Sequence, residues 1–541
     1  MKKRLYVFSI LCLIGFGNII NAQAPNYLWS KSVGSVGNAL VSAIAIDGNG
    51  NSYITGSYVN TISFGIFTLQ TLGSGIYIVK YDINGNVIWA KTSSGNDASS
   101  TAIALDGDGN VYVTGGFYGP SFSFGPLLTL TNSDSSATYQ DAFVIKLNTN
   151  GDLIWGNKYV ATLADNDYIN GIAVDGNGSS YITGSFYDTI TLSRNFFIGK
   201  LNQLGDIIWF RSAGGTGFDK GQEIAVDGSG NICVEGTYTS PSISFDSTTL
   251  TNLGGSDLFT VKYDTSGNLL WAKSAGGTSS SVADGIDTDG NNNSYVMGYF
   301  NGPSISFGSI VLTNPNASLY AMFLVKYDAN GTVVWAICPT GGGPGYGGAI
   351  SVDTFGNSYI AGTFSSSNIV FGSTTLTNAG SNDFFIAKYT SSGTVDWAKS
   401  SGGSADDFSR GISLSPTGNC YVVGNFNSSS ITFGSSTLYN DNPISTYDMF
   451  ITKLDNATLS NSSEAYSNEN AIKLFPNPAK NYFELSTNQL IEKIEIYSML
   501  GQLVKIFPAQ NQYDTSNLSK GNYIVKINTN TTFESKILVV E

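Results

Sequence analysis

Ala45-Ile46-Asp47-Gly48-Asn49-Gly50-Asn51-Ser52-Tyr53-Ile54-Thr55-Gly56 is the stretch that decides the fold. An alternating apolar run enters a turn of Asp, Gly and Asn, and a second alternating run leaves it. Asp and Asn tolerate positive φ and Gly accepts it freely, so the stretch predicts a β-hairpin. The phrase returns with anchors at Asp47, Asp106, Asp175, Asp227, Asp289, Asp353 and Ser415. The intervals are 59, 69, 52, 62, 64 and 62 residues, a mean of about 61, which is the signature of a repeat architecture. Later in the first unit Tyr77 to Tyr81 predicts a third strand, Asp82-Ile83-Asn84-Gly85-Asn86 a turn, and Val87 to Lys91 a fourth strand. Four antiparallel strands in each of seven units predict an all-β, seven-bladed β-propeller.

Between second and third strands lies a linker marked Ile62-Ser63-Phe64-Gly65, echoed from Ile243, Ile305, Ile369 and Ile431. The third unit lacks the echo and passes from Tyr181-Ile182-Thr183-Gly184 to Phe197-Ile198-Gly199-Lys200, which accounts for the shortest interval. Trp89, Trp155, Trp209, Trp271, Trp335 and Trp397 mark the fourth strands of six units, and the seventh unit has none. Leu28-Trp29-Ser30-Lys31 matches Ile88-Trp89-Ala90-Lys91, so the N-terminal strand is expected to complete the last blade and leave no free sheet edge.

The repeat phrases at residues 45–56 and 262–273 (Lys-Tyr-Asp-Thr-Ser-Gly-Asn-Leu-Leu-Trp-Ala-Lys) resemble the bacterial SBBP repeat, over about residues 27–456. That resemblance implies a seven-bladed propeller and no particular activity, so it brings no catalytic residue to this chain.

Residues 1–24 read as a secretory signal peptide, with Lys2, Lys3 and Arg4 before an apolar run and Ala22-Gln23-Ala24 at its exit. No later stretch is apolar enough to span a bilayer. The chain carries a net charge of −14, about −17 without the leader, which repels phosphate backbones and argues against nucleic-acid binding. Histidine is absent, which removes the commonest general base and the usual zinc ligand. Cys233, Cys338 and Cys420 fall at unrelated places in their repeats and read as small buried hydrophobes.

Residues 25–456 are assigned to the propeller, and the polar stretch 457–470 reads as a linker. Four β-type blocks follow, beginning at Leu474, Ile494, Leu518 and Lys536. In that order they resemble the type A sorting domain of the type IX secretion system of Bacteroidota, over residues 471–541. The resemblance implies a small β-sandwich recognised by an outer-membrane translocon and a sorting protease. It also implies that the domain is removed and the cargo released or attached to surface lipopolysaccharide.

Several repeated residues invite a functional reading. Asp106, Asp108 and Asn110 space their oxygens like the first half of a calcium loop, but the acidic twelfth ligand of such a loop is missing; turn chemistry is the expected role and calcium the alternative. Lys80, Lys146, Lys200, Lys262, Lys326, Lys388 and Lys453 recur once per unit and are expected to pair with acidic turns rather than to hold an anion. The tryptophans are read as blade packing before carbohydrate stacking. The Gly-rich loops joining units carry Asp165, Asp167, Asp219, Asp284, Asp406 and Asp407. Asp167, Asp219 and Asp407 each lie eight residues before their anchor, so they are expected round one acidic face, as a ligand or cation site.

The expectation is a secreted or surface-attached, non-catalytic binding protein for a glycan or other surface macromolecule, with no required cofactor. A structural surface component and a polysaccharide hydrolase or lyase are the alternatives. An enzyme is expected to break the repeat symmetry with two or three carboxylates, and no such position stands out of the repeats.

Overall fold

The computed structural model describes residues 24–456 and 472–540, apart from 36, 95–96, 135, 160–164, 315, 342–347, 441–445, 487–489, 499–501 and 530–532. Residues 1–23 of the leader and the linker lie outside the described residues. The chain divides into two units, Met1–Thr458 and Leu459–Glu541.

The larger unit is all-β and propeller-like. Its turns show why. Asp47 accepts the backbone amides of Asn49 and Asn51 on Oδ1, both at 2.9 Å, and the Asn51 side-chain amide on Oδ2 at 2.8 Å. The amide of Gly50, at φ 80°, donates to the Asp47 carbonyl, closing a short hairpin loop. Asp82 organises the turn between third and fourth strands in the same way, with Gly85 at φ 79°. Each local phrase therefore sets its own turn geometry.

Four antiparallel strands in the order inner to outer form each sheet. The inner strands are Ala39–Ile46, Ala98–Leu105, Tyr168–Val174, Asp219–Val226, Ser281–Thr288, Ala349–Val352 and Asp407–Leu414. They touch one another in chain order, and the last touches the first. The fourth strand of the last sheet is Tyr27–Val33, paired antiparallel with Asp448–Leu454. Asn26 and Asp455 extend that seam: the Asn26 amide donates to Asp455 Oδ1 at 2.7 Å and the Asp455 amide to the Asn26 carbonyl at 2.9 Å.

Adjacent sheets are joined by tryptophan. The indole N–H of Trp89 donates to the Thr149 carbonyl at 3.1 Å, and Trp29, Trp155, Trp209, Trp271 and Trp335 donate to Ile83, Gln203, Thr265, Ala329 and Ser391. Every acceptor sits in the next sheet's turn between third and fourth strands, and the turn glycine lies against the indole face. The fourth strand of the last sheet comes from the other end of the chain, so that sheet has no such turn, and the buried Trp397 Nε1 has no partner.

Linker hairpins such as Ser242–Phe245 with Thr248–Thr251 insert Ile, Phe and Leu between sheets. Sheet two has one as well, at Ser121–Phe124 and Leu128–Thr131, with Phe122 where the others carry Ile. Sheet three has none: Ser180–Asp188 turns directly into Ser193–Leu201.

Four of the seven repeated lysines pair with acidic turns as read from the sequence; Lys388 pairs instead with Asp396, and Lys200 and Lys453 donate to the Thr265 and Ile83 carbonyls. Lys80, Lys146, Lys262 and Lys326 pair with Asp47, Asp106, Asp227 and Asp289, at 3.9, 3.3, 2.7 and 3.4 Å. Lys80, Lys146, Lys200, Lys326, Lys388 and Lys453 lie over tyrosine rings of the second strands. Cys233 takes the tyrosine's place in sheet four, and there the lysine makes its shortest ion pair. Cys233, Cys338 and Cys420 are free, the first and last buried and Cys338 half-buried.

The C-terminal unit holds two antiparallel sheets around one core of Phe483, Ile494, Ile496, Tyr513, Val525 and Leu538.

The Asp227 and Lys262 side chains are at most 1% exposed, so removing one partner strands a buried charge. Asp227→Ala is expected to cost about 3–5 kcal/mol by urea denaturation. Asp82→Ala, in a turn at the surface, is expected to cost less.

Candidate functional site

The inner strands carry a bulge that the hairpin phrase does not announce. Strand pairing slips between Val41 and Ala43, Ser100 and Ile103, Ile169 and Gly171, Gly221 and Glu223, Ala283 and Gly285, and Ser409 and Gly411. An extra residue in one strand leaves the ladder and is re-aimed. Here Ser42, Thr101, Asn170, Gln222, Asp284 and Arg410 are re-aimed together, and all six line one open cavity of about 410 Å³ at the mouth of the central channel. A deeper cavity of about 150 Å³ is lined by residues of all seven inner strands.

Around this ring the polar side chains differ in what they are already doing. Thr101 Oγ1 donates to the Ile169 carbonyl at 2.6 Å and Asn170 Nδ2 to the Gly221 carbonyl at 2.7 Å, each tying its strand to the next. Asp284 Oδ2 accepts the Gly348 amide at 2.5 Å. Arg410 is exposed, and Gln222 Oε1 is buried without a partner.

One residue deeper the ring is small: Ala43, Ala102, Gly171, Gly285, Ala349 and Gly411. The exception is Glu223. It pairs in register with Glu235, which stands where three other sheets carry Thr55, Thr114 and Thr183. Glu235 is 0% exposed, and neither carboxyl oxygen has a hydrogen-bond partner. Desolvation pushes Glu223 up to about 7, and the nearby Asp284 adds to it. Burial pushes Asp284 up to about 6, against the Gly348 amide and the Lys220 and Arg410 charges. Glu235 is raised well above the usual range by burial and then by Glu223. Three carboxyls, Glu223, Glu235 and Asp284, and two cations, Lys220 and Arg410, thus break the symmetry of the channel.

This site is not among those expected from the sequence, and positions do stand out of the repeats: Glu223 and Glu235. The signal was available column by column, as Glu where the other repeats hold Ala or Gly. Asp284 was assigned to a joining loop, but lies within the inner strand Ser281–Thr288.

The expected acidic face does not form. Asp219 and Asp407 do occupy equivalent places, opposite Tyr238 and Phe426. However, Asp167, Asp219 and Asp407 are 4%, 0% and 0% exposed. Asp219 Oδ2 accepts the Gly215 amide and the Ser240 hydroxyl at 2.9 and 2.6 Å, and Asp407 Oδ2 accepts Gly403 and Ser428 at 2.6 and 2.8 Å. The Asp167 amide donates to the Gln140 carbonyl at 3.0 Å. The Asp219 and Asp407 carboxylates spend their lone pairs on loop amides and serine hydroxyls rather than offering them to a ligand.

Asp106, Asp108 and Asn110 do not converge as a cation cage either. Asp106 accepts the amides of Asp108 and Asn110 and the Asn110 side-chain N–H, at 3.1, 2.8 and 2.8 Å, so it faces donors where a cation needs oxygens. Among the described residues no group of three or more Cys, Asp or Glu is placed to hold a metal ion.

Comparison with known proteins matches a stretch of each unit. Fold and tail define an exported β-propeller protein. Residues 158–185 match the family described as Beta-propeller repeat (SBBP), and residues 473–541 that described as Secretion system C-terminal sorting domain. That tail marks proteins exported by the type IX system to the cell surface or extracellular space. An uncharacterized WD repeat-containing protein of Acanthamoeba polyphaga mimivirus is 25% identical over 462 residues, covering 67% of this chain; the chain spans 32% of that relative's length. The β-propeller domain of the Trilobed protease from Pyrococcus furiosus is similar at a TM-score of 0.40 and 9% identity, covering 76% of this chain and 99% of that one. The polysaccharide lyase Uly1 gives 0.40 and 10%, covering 81% and 94%. Likenesses this distant say nothing about activity.

The raised carboxyls set a pH dependence. Glu223, Asp284 and, elsewhere, the buried Asp257 and Asp407 (each pushed to about 6) hold protons that the unfolded chain releases. Their stabilisation is complete below the unfolded carboxyl range and is lost as pH rises through about 6–7. Asp106 and Asp289 are held low by hydrogen bonds from Asn110 and Asn293, against the opposing effect of burial; their contribution fades only as pH falls through their own low values. The melting temperature is expected to fall from about pH 5 to pH 7.5, and Glu235→Thr to raise it at pH 7.5 and flatten the slope, by calorimetry at both pH values.

Proposed function

We propose that the seven sheets act as one closed seven-bladed propeller, completed by its N-terminal strand, and that this propeller is a non-catalytic binding module. Its ligand is a glycan or another hydroxyl-rich surface macromolecule, taken at the channel mouth. The C-terminal unit, read as a β-sandwich, delivers it through contact with the translocon and sorting protease.

One observation carries the reading. The bulges of six inner strands turn polar side chains into one open mouth of about 410 Å³, where donors and acceptors converge on the space a ligand needs. Gln222, Asp284 and Arg410 bring an amide, a carboxylate and a guanidinium to its lining. Glu223 and its partner Glu235 cost stability in a scaffold whose other sheets fill the same places with uncharged side chains, and such a cost is retained where function uses it.

A second reading rests on a specific feature. Glu223 and Asp284 are raised to about 7 and about 6, a range in which one carboxyl can donate a proton while another is ionised. That pairing belongs to a glycan hydrolase or lyase.

Glycan-array binding by the mature chain, with calcium and then with a chelator, tests both readings. Saturable binding without product, weakened about tenfold or more by Arg410→Ala or Asp284→Asn, is the expected result. Product formation abolished by Glu223→Gln would establish the enzyme instead. No binding and no turnover would leave a structural role at the surface.

A further inference from the structure

Sheet three departs from the other six at three places, and all three meet in one gap. It lacks the linker hairpin, as described above. Gly199, immediately before the repeated lysine, replaces Val79, Ile145, Val261, Val325, Ala387 and Thr452. Phe210, immediately after the repeated tryptophan, replaces Ser30, Ala90, Gly156, Ala272, Ala336 and Ala398. Gly199 and Phe210 are cross-strand partners.

The result is an open cavity of about 400 Å³ between sheets two and three, lined by Ala142, Tyr159, Ile182, Phe186, Phe197 and Phe210. Aligned on the cross-strand Lys–Trp pairs, the corresponding residues of the next gap are Phe196, Ala213, Val234, Tyr238, Phe259 and Ala272. Those residues enclose Ile243, Phe245 and Leu250 of the sheet-four hairpin. Phe245 sits 5.6 Å from the Phe196 ring and 5.1 Å from that of Phe259, centroid to centroid. The cavity is therefore the place that an Ile-x-Phe hairpin occupies elsewhere in this same chain. Phe210 stacks on Phe197 at 5.4 Å and fills part of it, yet stays 42% exposed beside the half-exposed Ile207.

We infer that this gap is a docking slot for a β-hairpin or extended strand of a partner polypeptide carrying Ile-x-Phe. The occupied gaps define the chemistry. They also define how the backbone docks: the incoming strand bridges the end of the preceding sheet's fourth strand, as Ser93 pairs with Phe124, Gly276 with Ser306 and Thr340 with Val370. Tyr159 is the counterpart of Ser93 and lines the cavity. Strand addition at such an edge takes its affinity from main-chain hydrogen bonds and its specificity from alternate side chains in pockets. The slot shares no lining residue with the channel mouth, and the inference does not depend on what binds there.

The test uses the full mature chain and a fluorescent cyclic peptide with the hairpin sequence of Ser242–Thr251. Anisotropy titration is expected to show saturable binding. The same peptide with Ser in place of Ile243 and Phe245 is expected not to bind. Gly199→Val restores the side chain of the other repeats; a Cβ there meets nothing nearer than 3.6 Å, so the protein is expected to melt no lower than the parent. That variant is expected to bind at least about tenfold more weakly. No saturable binding by the parent chain, equal binding by Gly199→Val, or equal binding of the Ser-substituted peptide would each overturn the proposal.

Discussion

The contact on which this fold depends is the seat of one sheet's tryptophan on the next sheet's turn. The indole N–H needs an acceptor once buried, and the turn carbonyl supplies it at about the distance of an ordinary hydrogen bond, 3.1 Å for Trp89. The indole face needs a flat neighbour, and only a residue without Cβ leaves room. At Gly151, φ 80°, a Cβ would come within 3.0 Å of the Trp89 ring. The Asp-Gly-Asn turns thus do two jobs. They close a hairpin locally and fix the spacing between sheets, and the period of the sequence follows from the second requirement as much as from the first.

With sheet spacing set at the outer strands, the inner strands are free to differ. The bulge keeps its place in the ladder while the side chain it carries ranges from Ser42 to Arg410. Stability and recognition are in this way assigned to opposite edges of each sheet. Glu235 shows the cost of mixing them: a carboxyl set among packed strands, where the sister repeats hold uncharged side chains, gives up its hydration with no hydrogen bond in return. The neutral form is favoured, and the raised values of its neighbours belong to the same shortage of water.

Much of the fold was legible because its information is local and repeated. Asp47 and its counterparts reveal their turns within five residues, and Trp29, which matches Trp89 in sequence, makes the same indole hydrogen bond to a turn carbonyl. The role of Lys80, Lys146, Lys262 and Lys326 followed from recurrence beside acidic turns. Direction was not legible. Asp219 and Asp407 have the spacing of a ring on one face, but spacing does not say whether a carboxylate points to solvent or curls back onto its own loop. The channel cluster was hidden for a related reason: Glu223, Asp284 and Arg410 lie some sixty to nearly two hundred residues apart, and only the bulge register brings them to one mouth. The short third interval was visible, but the void it leaves depends on how sheets pack, which no single repeat contains.

The seam where the two ends of the propeller segment meet has a mechanical consequence. The C-terminal unit is joined to the chain just beyond Asp448–Leu454, and that strand is flanked by Cys420–Phe426 on one side and by Tyr27–Val33 on the other. Tension arriving from the C-terminal side therefore enters an interior strand along its length. It loads two rows of hydrogen bonds in shear at once, instead of peeling an edge strand one bond at a time. Tyr27–Val33, contributed from the far end of the sequence, is what turns the attachment point from an edge into an interior strand.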